Sequence, residues 1–440
     1  MNYQTHTCKS GLRIIHLPSD SPVIYCGLAI HAGTRHEAKG EEGLAHFCEH
    51  LMFKGTRRRS AVQIINALEG VGGELNAFTN KEDTVYYAAT TRRHFRQAVD
   101  VLCDIVFASQ FPEQEVEKER EVVCDEIESY EDTPSELIFD EFENLLFEGH
   151  PLGHNILGTS QQVRNYTGDD ARRFTQRYYR PDNSIFFASG DVDFKRLVKM
   201  LEGAGASGQP GPSGLSGQSR KSGQFGYSGQ FDISGNSGHS ALPGNSGLPV
   251  NAGFSPLPCS PIIRHRSTHQ AHVMMGARAF AATDDRRWPL FLLNNILGGP
   301  AMNSRLSLSL RERNGLVYTV ESTTATYSDT GLWAVYFGCD PHDVKRCCRL
   351  VRRELDRLSQ KPLSPTQLSQ AKQQIRGQLA IAADNREQFA LDFAKNFLHQ
   401  GTERNIDDIL AHVDAVRAED LQQVAKTLFA SDAMLTLIYQ

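Results

Sequence analysis

The sequence predicts an α+β fold in two halves, each a mainly antiparallel sheet packed with helices. Three observations lead there. A segment over 203–258 is rich in Gly, Ser, Pro, Gln and Asn, repeats Ser-Gly-Gln from Ser207, Ser216, Ser222 and Ser228, and is almost uncharged. Such a stretch buries too little surface to offset its ordering entropy, so it reads as a flexible linker between an N-terminal half (1–202) and a C-terminal half (259–440). Strand signals in both halves are separated by short connections of the kind antiparallel neighbours use. Long helical periodicities follow them, which favours layers of sheet and helix over a doubly wound arrangement.

In the N-terminal half, 12–16 and 23–32 are strands bounded by Gly11, Pro18, Pro22 and Gly33. A helix over 43–54 follows, then a second over 61–71 with Ile64, Ile65 and Leu68 on one face. Residues 76–78 and 84–90 form a hairpin or adjacent strands. Long helices cover 95–108 and 112–131, the latter with Pro112 where a first turn tolerates it. The C-terminal half runs strand 270–278, helices 285–297 and 303–313, strands 316–325 and 331–338, then several helices. The halves share little identity but a similar order of elements.

Composition narrows the function classes. Hydrophobic residues make up 40% of the 440 and charged residues 22%, with a formal net charge of -6, so nothing points to nucleic acid. The basic runs Arg57-Arg58-Arg59 and Arg311 with Arg313 are short and interrupted, and the first reads as solvated surface. The first residues are polar, with no apolar core of a signal peptide, and no apolar run reaches the length of a membrane helix, so neither secretion nor a membrane is expected. Nine cysteines without framework spacing read as reduced thiols, which makes a bacterial cytoplasm the expected location. Adjacent Cys347 and Cys348 read as helical core.

The chemistry-bearing motif is His46-Phe47-Cys48-Glu49-His50. Histidines four apart on a helix share a face one turn apart and form a zinc clamp, and the carboxylate beside them can take a proton from zinc-bound water. H-x-x-E-H arises by chance in only about 1% of chains of this length and average composition. The surrounding Gly43, Leu44, Ala45, Phe47, Leu51, Met52 and Phe53 are apolar nearly all round the helix, so the polar trio is buried and needs partners. A catalytic zinc takes three protein ligands. The 112–131 helix offers acids beside its apolar face of Val116, Val123 and Ile127. Glu119 and Glu126, seven apart, both border that face, and periodicity leaves the choice between them open.

Gly43-Leu44-Ala45-His46-Phe47-Cys48-Glu49-His50-Leu51-Met52-Phe53-Lys54-Gly55-Thr56 resembles the signature of the pitrilysin-type (M16) zinc metallopeptidases, a group that includes insulin-degrading enzyme and the mitochondrial processing peptidase. The resemblance extends through Asn76-Ala77-Phe78-Thr79, Glu119 to Glu126, His150-Pro151-Leu152-Gly153, Tyr178 to Asn183 and Arg311 to Tyr318, and covers the chain except the linker. It is similar to the bacterial branch nearest the processing peptidase and implies that fold in both halves. It implies one zinc ion per chain, with His46, His50 and Glu126, 76 residues beyond His50, as ligands. Glu49 becomes the general base and Glu119 an acid near the metal but not on it. Asn76, Ala77 and Phe78 become an edge strand that docks extended peptide. Arg311 and Tyr318 become donors to the oxyanion formed when a peptide carbonyl is attacked. Tyr318 is expected on a strand beginning after Asn314-Gly315, facing the same side as Leu316 and Val320. His150 and His154 read as loop residues, given Pro151 and Gly153.

The activity implied is zinc-dependent endopeptidase action on unfolded peptides or short protein segments, in a homodimer or a heterodimer with a related chain. A non-catalytic peptide-binding or scaffold subunit is the main rival, and relatives of that kind typically lose motif residues that this chain keeps. A metal hydrolase for small amides or esters is a third.

Overall fold

The computed structural model describes residues 2–204, 254–258, 260–266 and 268–440. Nearly all of the 203–258 linker therefore lies outside the described residues. Its far end is described, and Phe254 and Leu257 there pack against Phe147 and its apolar neighbours rather than standing free.

The first sheet contains β1 (Gln4–Thr7), β2 (Arg13–Pro18), β3 (Val23–Ile30), β4 (Glu74–Thr79), β5 (Thr84–Thr91) and β6 (Ser184–Gly190), in the spatial order β1-β2-β6-β3-β5-β4. The second contains β7 (Ile262–Arg264), β8 (Ala271–Ala279), β9 (Val317–Thr326), β10 (Gly331–Cys339) and β11 (Leu435–Tyr439), in the order β7-β11-β8-β10-β9. Leaving out β1, the two orders are the same path. In each, the first strand pairs parallel with the last, and every other neighbour is antiparallel. The halves thus repeat one topology, which their dissimilar residues had only suggested.

The helices are α1 (Leu44–Leu51), α2 (Ala61–Glu69), α3 (Phe95–Ala108), α4 (Glu113–Glu131), α5 (Pro134–Leu146), α6 (Ser160–Val163), α7 (Gly168–Tyr178), α8 (Phe194–Ala204), α9 (Arg287–Gly298), α10 (Val344–Gln360), α11 (Pro365–Ala382), α12 (Arg386–Gln400), α13 (Ile406–Ala415) and α14 (Ala418–Leu428). A π-helical stretch, Ser307–Glu312, precedes β9.

Two compact units result, and they cut across the expected halves. One comprises the described residues of Met1–Glu128, Asn155–Gly226 and Ala383–Arg404; the other takes those of Ser129–His154, Tyr227–Ala382 and Asn405–Gln440. The first unit therefore includes α12 from late in the chain. Its Phe393 meets Phe187 of β6 edge-on at 6.2 Å, and Arg13 of β2 donates to the carbonyls of Phe397 and Leu398. The second unit includes α5 from early in the chain. Its Leu137, Ile138, Phe142 and Leu146 share a core with Met274 of β8 and with Leu435, Leu437 and Tyr439 of β11. A sheet buried on both faces needs a helix layer on each, and these two helices supply one.

Candidate metal centre

The α1 helix begins at Gly43, whose φ of 90° suits glycine and whose missing side chain lets the Leu157 carbonyl and Gly158 approach; a Cβ there would lie 2.5 Å from that oxygen. The Glu37 carboxylate accepts from the Gly43 and Ala45 N–H groups at 3.0 and 2.7 Å, placing negative charge at the helix start. Phe47, Cys48 and Leu51 are fully buried, so α1 is held on more than one side, as its apolar composition requires. This fixes the backbone from which His46, Glu49 and His50 project.

The two imidazoles lie with ring centres 4.6 Å apart. The Oε2 atom of Glu126 on α4 is 3.8 Å from His46 Nε2 and 3.3 Å from His50 Nε2. Glu119, one heptad earlier on α4, turns elsewhere: its Oε1 sits 2.9 Å from His50 Nδ1 and its Oε2 2.6 Å from Lys54 Nζ. Geometry separates the two acids that periodicity left alike. Glu119 meets the far nitrogen of His50, and Glu126 meets the near nitrogens of both rings. Were a metal to displace the Nε2 proton, the Nδ1–H donated to Glu119 would hold the His50 ring with Nε2 toward Glu126 and His46, the second-partner arrangement that metal-bound histidines use.

His46, His50 and Glu126 are one of two groups of three metal-binding side chains among the described residues, their donor atoms all within 4.8 Å of one another. Two imidazoles and a carboxylate suit zinc, which accepts both donor types and keeps a fourth position in catalytic sites. His46 is buried, whereas 44% of the Glu126 side chain is exposed, so the centre is reached from the Glu126 side.

Glu49 is buried beside this trio, and Thr79 Oγ1, at the end of β4, donates to its Oε2 at 2.6 Å. Burial pushes the Glu49 carboxyl up to about 6, against the pull of the Thr79 hydroxyl and His50. Burial opposes charge on His50 too, but Glu119 and Glu126 outweigh it and raise its pKa to about 9. His46 goes the other way, to about 4, through burial and the neighbouring His50. Burial works to raise the Glu119 carboxyl, yet His50 and Lys54 hold it below its ordinary range. Hydrogen bonding to His50 lowers that of Glu126.

Sequence reasoning passed over two members of this network. Thr79 stood at the end of the Asn76-Ala77-Phe78 stretch, and Lys54 lies four residues beyond His50, a spacing that could have marked it. Asn76, Ala77 and Phe78 lie on β4, the outermost strand of its sheet, with Asn76 exposed.

Arg311 and Tyr318 belong to the other unit. Arg311 lies in the π-helical stretch and pairs with Glu312 at 2.8 Å. Tyr318 is 87% exposed on β9, the outermost strand of the second sheet. It does not face the side of Val320, as strict alternation had suggested. Val320 pairs with Phe337 and Val317 with Cys339, so β9 carries one extra residue there. The bulge buries Val317 and Val320 and turns Tyr318 and Thr319 outward. His150 sits in the same unit against Asp329, at 3.3 Å, and beside Phe147.

A duplicated α+β fold with an H-x-x-E-H centre in one of its two copies defines a class of metal-site protein, and comparison with known proteins supplies its name. A family model described as Insulinase (Peptidase family M16) matches residues 14–160, and one described as Peptidase M16 inactive domain matches 165–375. The chain belongs to peptidase family M16. It is 33% identical to a Streptomyces coelicolor protein named an uncharacterized zinc protease, over 98% of this chain and 88% of that one. A Bacillus subtilis protein of the same description is 30% identical over 98% and 97%. A protease from Helicobacter pylori has the same fold, with a TM-score of 0.82 at 20% identity over 100% of this chain and 99% of that one. A Pseudomonas fluorescens structure titled peptidase M16 inactive domain matches equally well, at 0.82 and 16% identity over 100% and 98%.

Proposed function

We propose that this chain is a zinc-dependent endopeptidase acting on unfolded peptides or short protein segments. The observation that carries the reading is the convergence of His46 Nε2, His50 Nε2 and Glu126 Oε2 beside the buried carboxylate of Glu49. The zinc protease names of the relatives point the same way. Zinc, held one per chain by those three donors, would polarise the scissile carbonyl and make water more acidic.

The remaining chemistry falls to side chains. Thr79 engages Glu49 Oε2, which leaves Oε1 to accept the proton of the attacking water and pass it to the departing amine. Burial, which raises this carboxyl above its ordinary range, makes it a better proton acceptor for this exchange. Glu119 anchors His50 from behind. Arg311 and Tyr318 donate to the oxyanion, a role that suits the outward turn of Tyr318 at its bulge. Strand β4, at the sheet edge, takes the substrate as an added strand through main-chain hydrogen bonds at Asn76, Ala77 and Phe78. The working form is a dimer of this chain with itself or with a related chain, in a bacterial cytoplasm.

The test is hydrolysis of a quenched unfolded peptide by protein stripped with a chelator and then reloaded. Cleavage that vanishes on stripping and returns with zinc is expected. Full-rate cleavage by stripped protein contradicts the reading. No cleavage by zinc-loaded protein, alone or with a related chain, would favour a peptide-binding subunit instead.

A further inference from the structure

Among the described residues, one other group of side chains brings three metal-binding donors together: His6, Cys8 and Glu202. Here His6 and Cys8 come from the first strand and the turn after it, and Glu202 from the last turn of α8. Residues two apart on an extended chain point to the same side, which puts the imidazole and the thiol on one face. The backbone beneath them is fixed. His6 pairs with Ile14 across β1 and β2, and the Cys8 N–H and carbonyl bond Leu12 and Gly11 in a tight turn. The carboxylate is fixed as well. One Glu202 oxygen lies 3.3 Å from His6 Nε2, and the other accepts from the Lys9 N–H at 3.3 Å.

We propose that His6, Cys8 and Glu202 bind a second divalent cation of the zinc class, separate from the centre on α1. The three donor atoms lie within 4.8 Å of one another, and a tetrahedral zinc with bonds of about 2.0–2.3 Å draws its ligands to about 3.3–3.8 Å apart. One sulfur, one nitrogen and one oxygen donor select zinc, cobalt or copper over magnesium or calcium, which prefer all-oxygen shells. The thiol proton leaves to solvent as the cation binds, and water completes the shell. The site is partly open: Cys8 is 4% exposed, while the His6 and Glu202 side chains are 38% and 29% exposed, which gives an ion access. Bound there, the ion would clamp the N-terminal strand to α8, the helix that leads into the Ser-Gly-Gln-rich segment.

The thiolate supplies a readout that the other centre lacks, since His46, His50 and Glu126 contain no sulfur. Metal-free full-length protein is titrated with cobalt(II) and followed in the near ultraviolet, where thiolate-to-cobalt charge transfer absorbs and nitrogen or oxygen ligation alone does not. The parent should develop one such band per chain, bleached by zinc and not by magnesium. A His46→Ala and His50→Ala double variant should develop it equally, which separates this result from the fate of the proposed peptidase centre. Cys8→Ser should abolish the band. Because Cys8 is buried, His6→Ala and Glu202→Gln serve beside it as surface changes and should each shift the titration midpoint at least tenfold. No band in the parent, or a band that survives in Cys8→Ser or is unmoved in both surface variants, overturns the proposal.

Discussion

Glu119 and Glu126 show how two like residues on one helix come to different work. Both are carboxylates on α4 seven residues apart, yet one is buried between His50 and Lys54 and the other is half-exposed toward the two imidazoles. Glu126→Gln should cost most of the zinc affinity, because a charged donor is lost. Glu119→Gln keeps all three donors but weakens the grip on His50, and should lower zinc affinity by about 10–100-fold, the range for partners behind a ligand. Metal competition with a chromogenic chelator measures both, and equal losses would contradict the division of roles. Thr79 touches Glu49, the proposed base, rather than any of the three proposed metal ligands. Thr79→Val should leave zinc in place and raise the pKa of Glu49, moving the acidic limb of the pH–rate profile to higher pH. Turnover should drop ~10-fold or more, since a hydrogen bond to a charged group is worth about 1.5–3 kcal/mol. An unmoved acidic limb would show that the Thr79 contact does nothing for the base.

At the scale of elements, the exchanged helices carry the clearest consequence. Phe142 on α5 is fully buried in the second unit, although it lies in the N-terminal part of the chain. Phe142→Ala should cost about 3–5 kcal/mol in denaturant unfolding of that unit, with the zinc content of the α1 centre unchanged. Joint loss of stability and zinc would argue that the units do not hold their cores separately. The same helices mark what the sequence could not reveal. Amphipathic spacing identifies a face that must be buried, but not the sheet that buries it, so nothing in Leu137, Ile138 and Phe142 names β8 and β11 as partners. The motif helix, the 95–108 and 113–131 helices and the β4–β5 hairpin were legible because their apolar periods and turn residues are local. Strand β1 was not, since Gln4-Thr5-His6-Thr7 is polar throughout and gains its state by pairing with β2. Strand β6 lacks alternation because both its faces are covered, and all seven of its residues are buried. Within the candidate site, residue types and spacing marked His46, Glu49 and His50, which the structure brings together on α1. The split between Glu119 and Glu126 needed the resemblance or the geometry, and the β9 bulge that turns Tyr318 outward depends on pairing with β10.

Across the whole molecule, a cluster of imidazoles, His399 buried and His31 and His36 half-buried, ties stability to pH. His31 lies 5.1 Å ring to ring from both His36 and His399, and His399 Nε2 is 3.0 Å from Asp83 Oδ2. Burial, with the nearby histidines, lowers His31 to about 3, and burial with Arg35 lowers His36 to about 4. Burial alone would raise Asp83, but His399 and Lys395 hold it down to about 2. All three folded values lie below the ordinary ones, so the unfolded chain takes up protons first as pH falls. The histidine contribution is complete above about 6.5 and is lost toward 4 and below, while that of Asp83 is complete above about 4 and is lost toward 2. Denaturant unfolding of metal-free protein should therefore show stability falling from near pH 6.5 downward. His36→Asn, whose amide oxygen can still accept from the Gly33 N–H, should make that fall shallower. A flat profile between pH 7 and 5 would contradict the assignment. The central claim concerns the α1 centre, and one comparison tests it most directly: zinc content and peptide turnover measured on the same samples of parent and Glu49→Gln protein. The glutamine keeps the size of the side chain and the contact with Thr79 but cannot take a proton. The account predicts equal zinc in the two proteins, with hydrolysis lower by at least ~10²–10⁴-fold in the variant, the loss typical of a missing general base. Glu49→Gln protein that cleaves peptide at the parent's rate would contradict it.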